Sequence, residues 1–142
     1  MSENTCEIRT GRLLEIRVAK GYETTEDVDH MISMIRACVG ALPEGVRHVT
    51  IADWRACKVL TKSAATRVID MMRGTNPRTE RSVLLHANNS PTAIMQFVRL
   101  VRESDNEQRR VFSDVEAALG WAGEVLAADE LLRARAFLAS SG

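Results

Sequence analysis

The sequence predicts an α/β fold with a mostly parallel sheet, an antiparallel hairpin at its start and about five helices. Two short extended runs, residues 6–9 and 12–19, come first, and apolar runs of strand length then alternate with segments of helical periodicity. Strands that are separated by helices imply right-handed crossovers and parallel pairing. We expect one domain over residues 1–142, because this length suffices to bury a single core.

The two extended runs predict a hairpin at the edge of the sheet, because the Thr-Gly pair between them is a turn signal. In the second run, Leu14, Ile16 and Val18 alternate with Glu15 and Arg17. This alternation predicts a strand with one face buried and the other face in solvent.

Residues 46–53 and 81–87 are apolar enough for central strands, and residues 109–112 predict a brief last strand. N-caps are predicted at Thr24, Thr61, Ser90 (with Pro91 at the first helical position), Ser113 (in a capping box with Glu116) and Asp129. The last of these begins an additional C-terminal helix over residues 129–139. The inward positions of the helices are Val28, Met31, Ile32, Ile35, Val39, Ala65, Val68, Ile69, Met72, Ile94, Phe97, Val98, Val101, Val115, Leu119, Ala122 and Leu126.

The composition argues against several classes of function. Nineteen basic residues balance 19 acidic ones, whereas nucleic-acid binding needs a basic surplus or stripe. No apolar run approaches the roughly 18 residues of a membrane span. The polar N-terminus lacks the features of a signal peptide, so we expect a cytoplasmic protein.

The three cysteines are widely spaced and form no Cys-x-x-Cys motif, which favours free thiols in a reducing compartment. Scattered histidines and cysteines do not define a metal site, and no phosphate-binding or dinucleotide-binding glycine motif is present in the sequence. We therefore predict neither a metal nor a cofactor.

The end of the 46–53 strand is the first candidate site, because ligands of parallel sheets contact the carboxyl ends of strands. Asp53, Trp54 and Arg55 follow this strand. Trp54 and Arg55 are residue types enriched in interface hot spots, which makes them candidate anchors for a partner. The alternative is that Trp54 packs beneath its own loop and Asp53 caps backbone donors.

Thr61, Lys62 and Ser63 lie where free N–H groups at the start of a helix favour an anion, although a plain N-cap is the commoner role. His86, Asn88 and Asn89 occupy the next strand-to-helix loop, which is expected to lie near the first. A hydrolase that uses His86 and Cys57 is a third possibility, but a histidine without an assigned partner is more often a polar loop residue.

Two local patterns carry a family resemblance. The first is "HVTIADW", a strand that ends in Asp53 about eight residues before the next helix. The second is "RRVFSDVEAALGWAGEVL", a short strand followed by a capped helix with an Ala-x-x-Trp ending. Together with the element order, they resemble the domain shared by sulphate transporters and bacterial anti-sigma factor antagonists, the STAS or SpoIIAA-like fold, over roughly residues 7–126.

The chain departs from this family at one informative place. Anti-sigma factor antagonists carry an Asp-Ser-Ser-Gly signature at the start of the second helix, where a kinase partner phosphorylates a serine. This chain has Thr61, Lys62, Ser63 and Ala64 there, so the phosphoserine position aligns with Lys62. Modification of Thr61 or Ser63 stays open, but the standard phosphorylation switch is not expected.

The sequence therefore predicts a non-enzymatic regulatory or protein-interaction module of STAS-like type, with a protein partner. A homodimer through the edge hairpin is a further expectation, since unpaired strand edges invite pairing. The alternative function is a small-molecule binding domain of the same fold that holds an apolar or anionic ligand between helices.

Overall fold

The computed structural model describes residues 3–140 and contains a five-stranded sheet with five α-helices. In chain order the elements are β1 (Thr5–Ile8), β2 (Leu13–Arg17), α1 (Thr25–Gly40), β3 (His48–Trp54), α2 (Lys62–Thr75), β4 (Thr79–His86), α3 (Pro91–Glu103), β5 (Arg109–Phe112), α4 (Val115–Ala122) and α5 (Ala128–Ala139). Within residues 3–140, no helix combines the length and the apolar character needed to cross a membrane.

The strands lie side by side in chain order, β1-β2-β3-β4-β5. β1 pairs with β2 antiparallel, and every other neighbouring pair is parallel. The predicted hairpin and the predicted parallel sheet are therefore confirmed. β1 forms one edge of the sheet, and its pairing with a second copy of the chain stays a prediction.

Helices cover both faces of the sheet. α1, α2 and α3 pack against one face, where Ala52 and Trp54 of β3 point, and α4 and α5 pack against the other, where Val49 and Ile51 point. All seven residues of β3 are consequently buried. This arrangement explains the continuous apolar runs of the central strands, which have no face in solvent.

The second face of β2 is covered, and the prediction that it lies in solvent is wrong. Glu15 is only 3% exposed, because α5 lies over it. Arg133 of α5 donates from Nε and Nη2 to the two carboxylate oxygens of Glu15 at 2.7 and 2.8 Å. Arg17 donates to Asp53 and to the carbonyl oxygen of Phe137. The polar residues of the alternating pattern are thus paired with α5 rather than hydrated.

The predicted N-caps at Thr24, Thr61 and Ser90 are confirmed, since each side chain accepts from a backbone N–H in the first helical turn. The cap at Ser113 is wrong, because Asp114 takes that role and accepts from the N–H of Ala117.

The cap at Asp129 is also wrong. The N-cap is Ala127, and α5 begins at Ala128. The Glu130 carboxylate accepts from the backbone N–H of Ala127 and from that of Arg12. Gly11 permits this contact between α5 and the hairpin, because a Cβ there would lie 2.2 Å from a Glu130 oxygen and its φ of +55° disfavours other residues. Val98, predicted to face inward, is 44% exposed, and α3 buries Ala93, Phe97, Leu100 and Val101 instead.

We predict that Arg133→Ala destabilises the protein by about 3 kcal/mol, the low end for breaking a buried ion pair, because it leaves the buried Glu15 carboxylate without its partner while Arg133 itself is 28% exposed. Urea unfolding monitored by circular dichroism measures the change. Arg135→Ala on the same helix is the control, since Arg135 and its partner Glu116 are both more than half exposed and such pairs contribute about 0–1 kcal/mol. Equal effects of the two substitutions would contradict the role assigned to the Glu15 pair.

Candidate functional site

A cleft of about 550 Å³ lies at the carboxyl edge of the parallel strands, between the loop after β2 and the loop after β3. We call it the edge cleft, and its lining consists of Ala19, Lys20, Gly21, Tyr22, Glu23, Ala56, Lys58, Val59 and Thr61. The loop after β4 starts beside it, because Trp54 and His86 are directly paired residues of β3 and β4. The expectation that the two strand-to-helix loops begin side by side is therefore confirmed.

Trp54 lies in the core beneath this edge. Its side chain is 2% exposed and makes edge-to-face contacts with Tyr22 and Phe97, at centroid distances of 5.5 and 5.1 Å. An interface anchor must present its ring to the partner, and the ring of Trp54 is enclosed on both sides. The geometry agrees with the alternative interpretation, in which Trp54 packs beneath its loop, and corrects the hypothesis of an exposed anchor.

Asp53 and Arg55 hold α5 in place. The Asp53 carboxylate accepts from the side chain of Arg17 and from both the backbone N–H and the guanidinium of Arg55. Arg55 also donates to the carbonyl oxygen of Leu138, and Arg17 donates to that of Phe137. Both arginines therefore satisfy carbonyl groups at the C-terminal end of α5, which is a structural role rather than the docking role predicted for Arg55.

Thr61, Lys62 and Ser63 are all exposed at the start of α2. Thr61 is a regular N-cap, because its side chain accepts from the N–H of Ala64 at 3.2 Å. The preceding loop is fixed by Gln96 of α3, whose amide accepts from the N–H of Leu60 and donates to its carbonyl oxygen. Sequence analysis missed Gln96, since its partner lies 36 residues away in the chain and the pairing leaves no local pattern.

The loop after β4 divides into a buried and an exposed part. His86 is 6% exposed and contacts the carbonyl oxygen of Ala87 through Nδ1, whereas Asn88 and Asn89 are exposed. Burial raises the pKa of the Cys57 thiol to about 12, which is opposite to what a nucleophilic cysteine requires. The geometry thus gives no support to a hydrolase built on His86 and Cys57.

The edge cleft gathers an unusual share of one residue type. The chain has only three lysines, and all three lie here: Lys20 and Lys58 line the cleft, and Lys62 is in the first turn of α2. Lys20 pairs with Asp27 at 3.1 Å, while Lys58 and Lys62 form no ion pair within residues 3–140. Val59, which lies between Lys58 and Lys62 in the sequence, is 49% exposed.

A second polar cluster, which sequence analysis missed, lies inside the protein near the amino ends of β3, β4 and β5, at the end of the sheet opposite the edge cleft. His48 contacts Thr50 through Nδ1 at 2.9 Å, and Arg109 donates to the hydroxyl of Ser82 at 3.0 Å. Burial, reinforced by the positive charge of Arg109, lowers the pKa of His48 to about 4. No sequence signal marks this cluster, because its members come from three strands that meet only in the folded sheet.

Among residues 3–140, no three histidine, cysteine or acidic side chains are grouped so that they would hold a metal ion.

Solved structures with the same architecture exist. Over 84% of this chain and 94% of the other, it is similar to an uncharacterized protein of the DUF3478 family with a SpoIIAA-like fold from Shewanella loihica PV-4, with a TM-score of 0.63 and 15% identity. It is also similar to the anti-sigma factor antagonist SpoIIAA in its unphosphorylated form, over 87% of this chain and 99% of that one, with a TM-score of 0.57 and 17% identity. The predicted SpoIIAA-like fold is thereby confirmed. No family model and no curated protein matches the chain.

We predict that Trp54→Ala destabilises the protein by about 3–5 kcal/mol, because it removes a large buried ring from the core. Chemical denaturation compares it with Met95→Ala, whose side chain is 74% exposed and whose loss is expected to change stability by less than about 0.5 kcal/mol. A Trp54→Ala variant as stable as the wild type would restore the hypothesis that this ring is a surface anchor.

The low pKa of His48 predicts a loss of stability in acid. An unfolded histidine gains its proton near pH 6.5, whereas folded His48 stays neutral down to about pH 4, so the unfolded state binds more protons between these values. The stability present above pH 6.5 therefore falls by up to about 3 kcal/mol as the pH drops to 4. In urea titrations at several pH values, His48→Gln is expected to show a smaller fall than the wild type, and a fall of the same size would contradict the assignment.

Proposed function

We propose that this SpoIIAA-like domain is a non-enzymatic regulatory module that docks a protein partner at the edge cleft. The observation that carries the proposal is the gathering of the chain's three lysines there, two of them without an ion pair in the described structure, around the exposed Val59. The partner surface that fits is acidic with an apolar contact at its centre.

Charge and shape both support this location. Of the 12 ion pairs of residues 3–140, all are formed by arginines except the pair of Lys20 with Asp27. Lys58 and Lys62 are therefore available to steer an acidic partner, which is the main contribution of rim charges to association. Because Gln96 holds the backbone of Leu60, the loop that presents them is preorganised, which lowers the entropy cost of binding.

The two solved relatives bear on the kind of function, and one of them is an anti-sigma factor antagonist. In the family resemblance, Lys62 stands at the phosphoserine position. We infer that docking in this chain depends on a permanent positive charge rather than on phosphorylation at this position. Thr61 and Ser63 add exposed polar groups next to Lys62, and Asn88 and Asn89 are exposed in the loop after β4. Asp53, Trp54, Arg55 and His86 support this edge of the sheet from within.

The double substitution Lys58→Glu, Lys62→Glu is expected to weaken partner binding about tenfold or more, since like charges across an interface cost several kcal/mol. A pull-down from native lysate with quantitative mass spectrometry identifies the proteins that only the wild type retains, and titration with the purified partner then measures the affinity. Raising the salt concentration is expected to weaken the wild-type complex, because the exposed charges are screened.

Arg47→Glu, Arg102→Glu is the matched control, because both arginines are exposed and lie at the end of the sheet opposite the edge cleft, Arg47 directly before β3 and Arg102 in the last turn of α3. This variant carries the same change in net charge and is expected to retain the partner. If both double variants lose the partner equally, net charge rather than the edge cleft decides binding, and the proposed surface is wrong.

A further inference from the structure

Two buried hydrogen-bond donors without a partner line the same interior cavity. Within residues 3–140, the buried side-chain nitrogen and oxygen atoms that lack a hydrogen-bond partner are the hydroxyl of Tyr22 and Nε of Arg109. Both residues border a cavity of about 30 Å³ between the sheet and helices α1 and α2. Buried polar groups are nearly always paired, so two unpaired groups around one cavity call for an explanation. The Nε–H of Arg109 can only donate, so its missing partner is an acceptor, and the hydroxyl of Tyr22 can donate to an acceptor as well.

Arg109 adds a requirement for negative charge. It is 9% exposed, and its guanidinium donates only to neutral oxygens, which belong to Ser82, Met72, Thr75 and Asn76. No carboxylate of residues 3–140 lies within ion-pair distance of it. Burial lowers the pKa of Arg109 to about 10, so the group still carries its charge at neutral pH. A buried charge without a counter-charge is strongly unfavourable, and an anion in the cavity would relieve this cost.

The other walls of the cavity are mainly apolar. They are formed by Leu14, Ile16, Ile35, Ala52, Trp54, Met71, Met72 and Leu84, with the polar side chains of His48, Thr50, Thr75 and Ser82 completing the lining. A water molecule needs about 10–15 Å³ by this measure, so the cavity has room for a group of only a few heavy atoms. Methionine side chains adapt their shape readily, which allows Met71 and Met72 to accommodate a slightly larger ligand.

A surface groove adjoins the cavity on the helical side. A groove of about 120 Å³ between α1 and α2 shares Ile35, Met71 and Thr75 with the cavity. Of these three shared residues, Met71 has the most flexible side chain. The groove is also bordered by Arg36, Arg67 and Asp70. Arg67 is paired with Asp29 and Asp70, so Arg36 is the residue that favours the approach of an anion.

We propose that this cavity binds a small monocarboxylate, such as a two- or three-carbon fatty acid, with its carboxylate toward Arg109 and its alkyl group against the apolar wall. The carboxylate supplies the acceptor oxygens and the negative charge that the cavity lacks. The short alkyl chain fits the limited volume and the methionines. This site is separate from the docking surface proposed above and does not depend on it.

The test is a thermal-shift titration of the full chain with sodium propionate, alongside propionamide and sodium chloride at equal concentrations. Propionate is expected to give a saturable rise of several degrees in the melting temperature, because a ligand of the native state stabilises it. Propionamide has nearly the same shape without the charge, and chloride has the charge without the alkyl group. Both are expected to give much smaller shifts, and a shift from either that equals that of propionate would overturn the assignment to a carboxylate.

Two variants locate the site. Arg109→Met is expected to abolish the propionate shift, while Arg102→Met, an exposed arginine on α3, is expected to leave it unchanged. Tyr22→Phe removes an unpaired hydroxyl and breaks no hydrogen bond of the protein, so it is expected to fold and to bind propionate about fivefold more weakly. If Arg109→Met does not fold, the affinity of Tyr22→Phe for propionate tests the location of the site. Absence of a saturable shift in the wild type would show that the cavity holds solvent only, and wild-type affinity in Tyr22→Phe would show that propionate binds elsewhere on the protein.

Discussion

The arrangement of the whole molecule depends on one constraint, which is that a sheet carrying charged residues is buried on both faces. Glu15, Arg17 and Asp53 lie on the face covered by α5, where unpaired charges would be costly. α5 meets this constraint with the guanidinium of Arg133 and with the carbonyl oxygens of its last turn. The C-terminal helix is consequently part of the fold, since without it the carboxylate of Glu15 would lose its ion pair with Arg133 and the pair of Arg17 with Asp53 would lose its cover.

This constraint also decides which residues are free for function. Asp53 and Arg55 are committed to α5, and Trp54 is committed to the opposite layer, where it contacts Tyr22 and Phe97. Asp53, Trp54 and Arg55, which the sequence pattern indicates as a candidate site, therefore support this edge of the sheet from within. The surface offered to a partner consists of the loop that follows them and the start of α2, where the side chains reach solvent and the backbone is held by Gln96.

The two proposed sites lie on the same side of the sheet but differ in chemistry. The edge cleft is open, lysine-rich and suited to a macromolecular surface, whereas the interior cavity is small, mainly apolar and bordered by one buried arginine. Tyr22 lines both, with its ring against Trp54. Burial raises the pKa of the Tyr22 hydroxyl well above 10, so this group remains a hydrogen-bond donor at physiological pH.

The sequence by itself determined the order of the elements, the hairpin, the parallel pairing and the caps at Thr24, Thr61 and Ser90, because periodicity and capping are interactions between residues close together in the chain. Only the tertiary structure decided that the second face of β2 is covered and that Trp54 is enclosed. It alone brought Arg109 beside a cavity. Glu15 and Arg133 are 118 residues apart, and the Arg109 cluster joins three strands. Such contacts form only when distant segments pack, so no local pattern reports them.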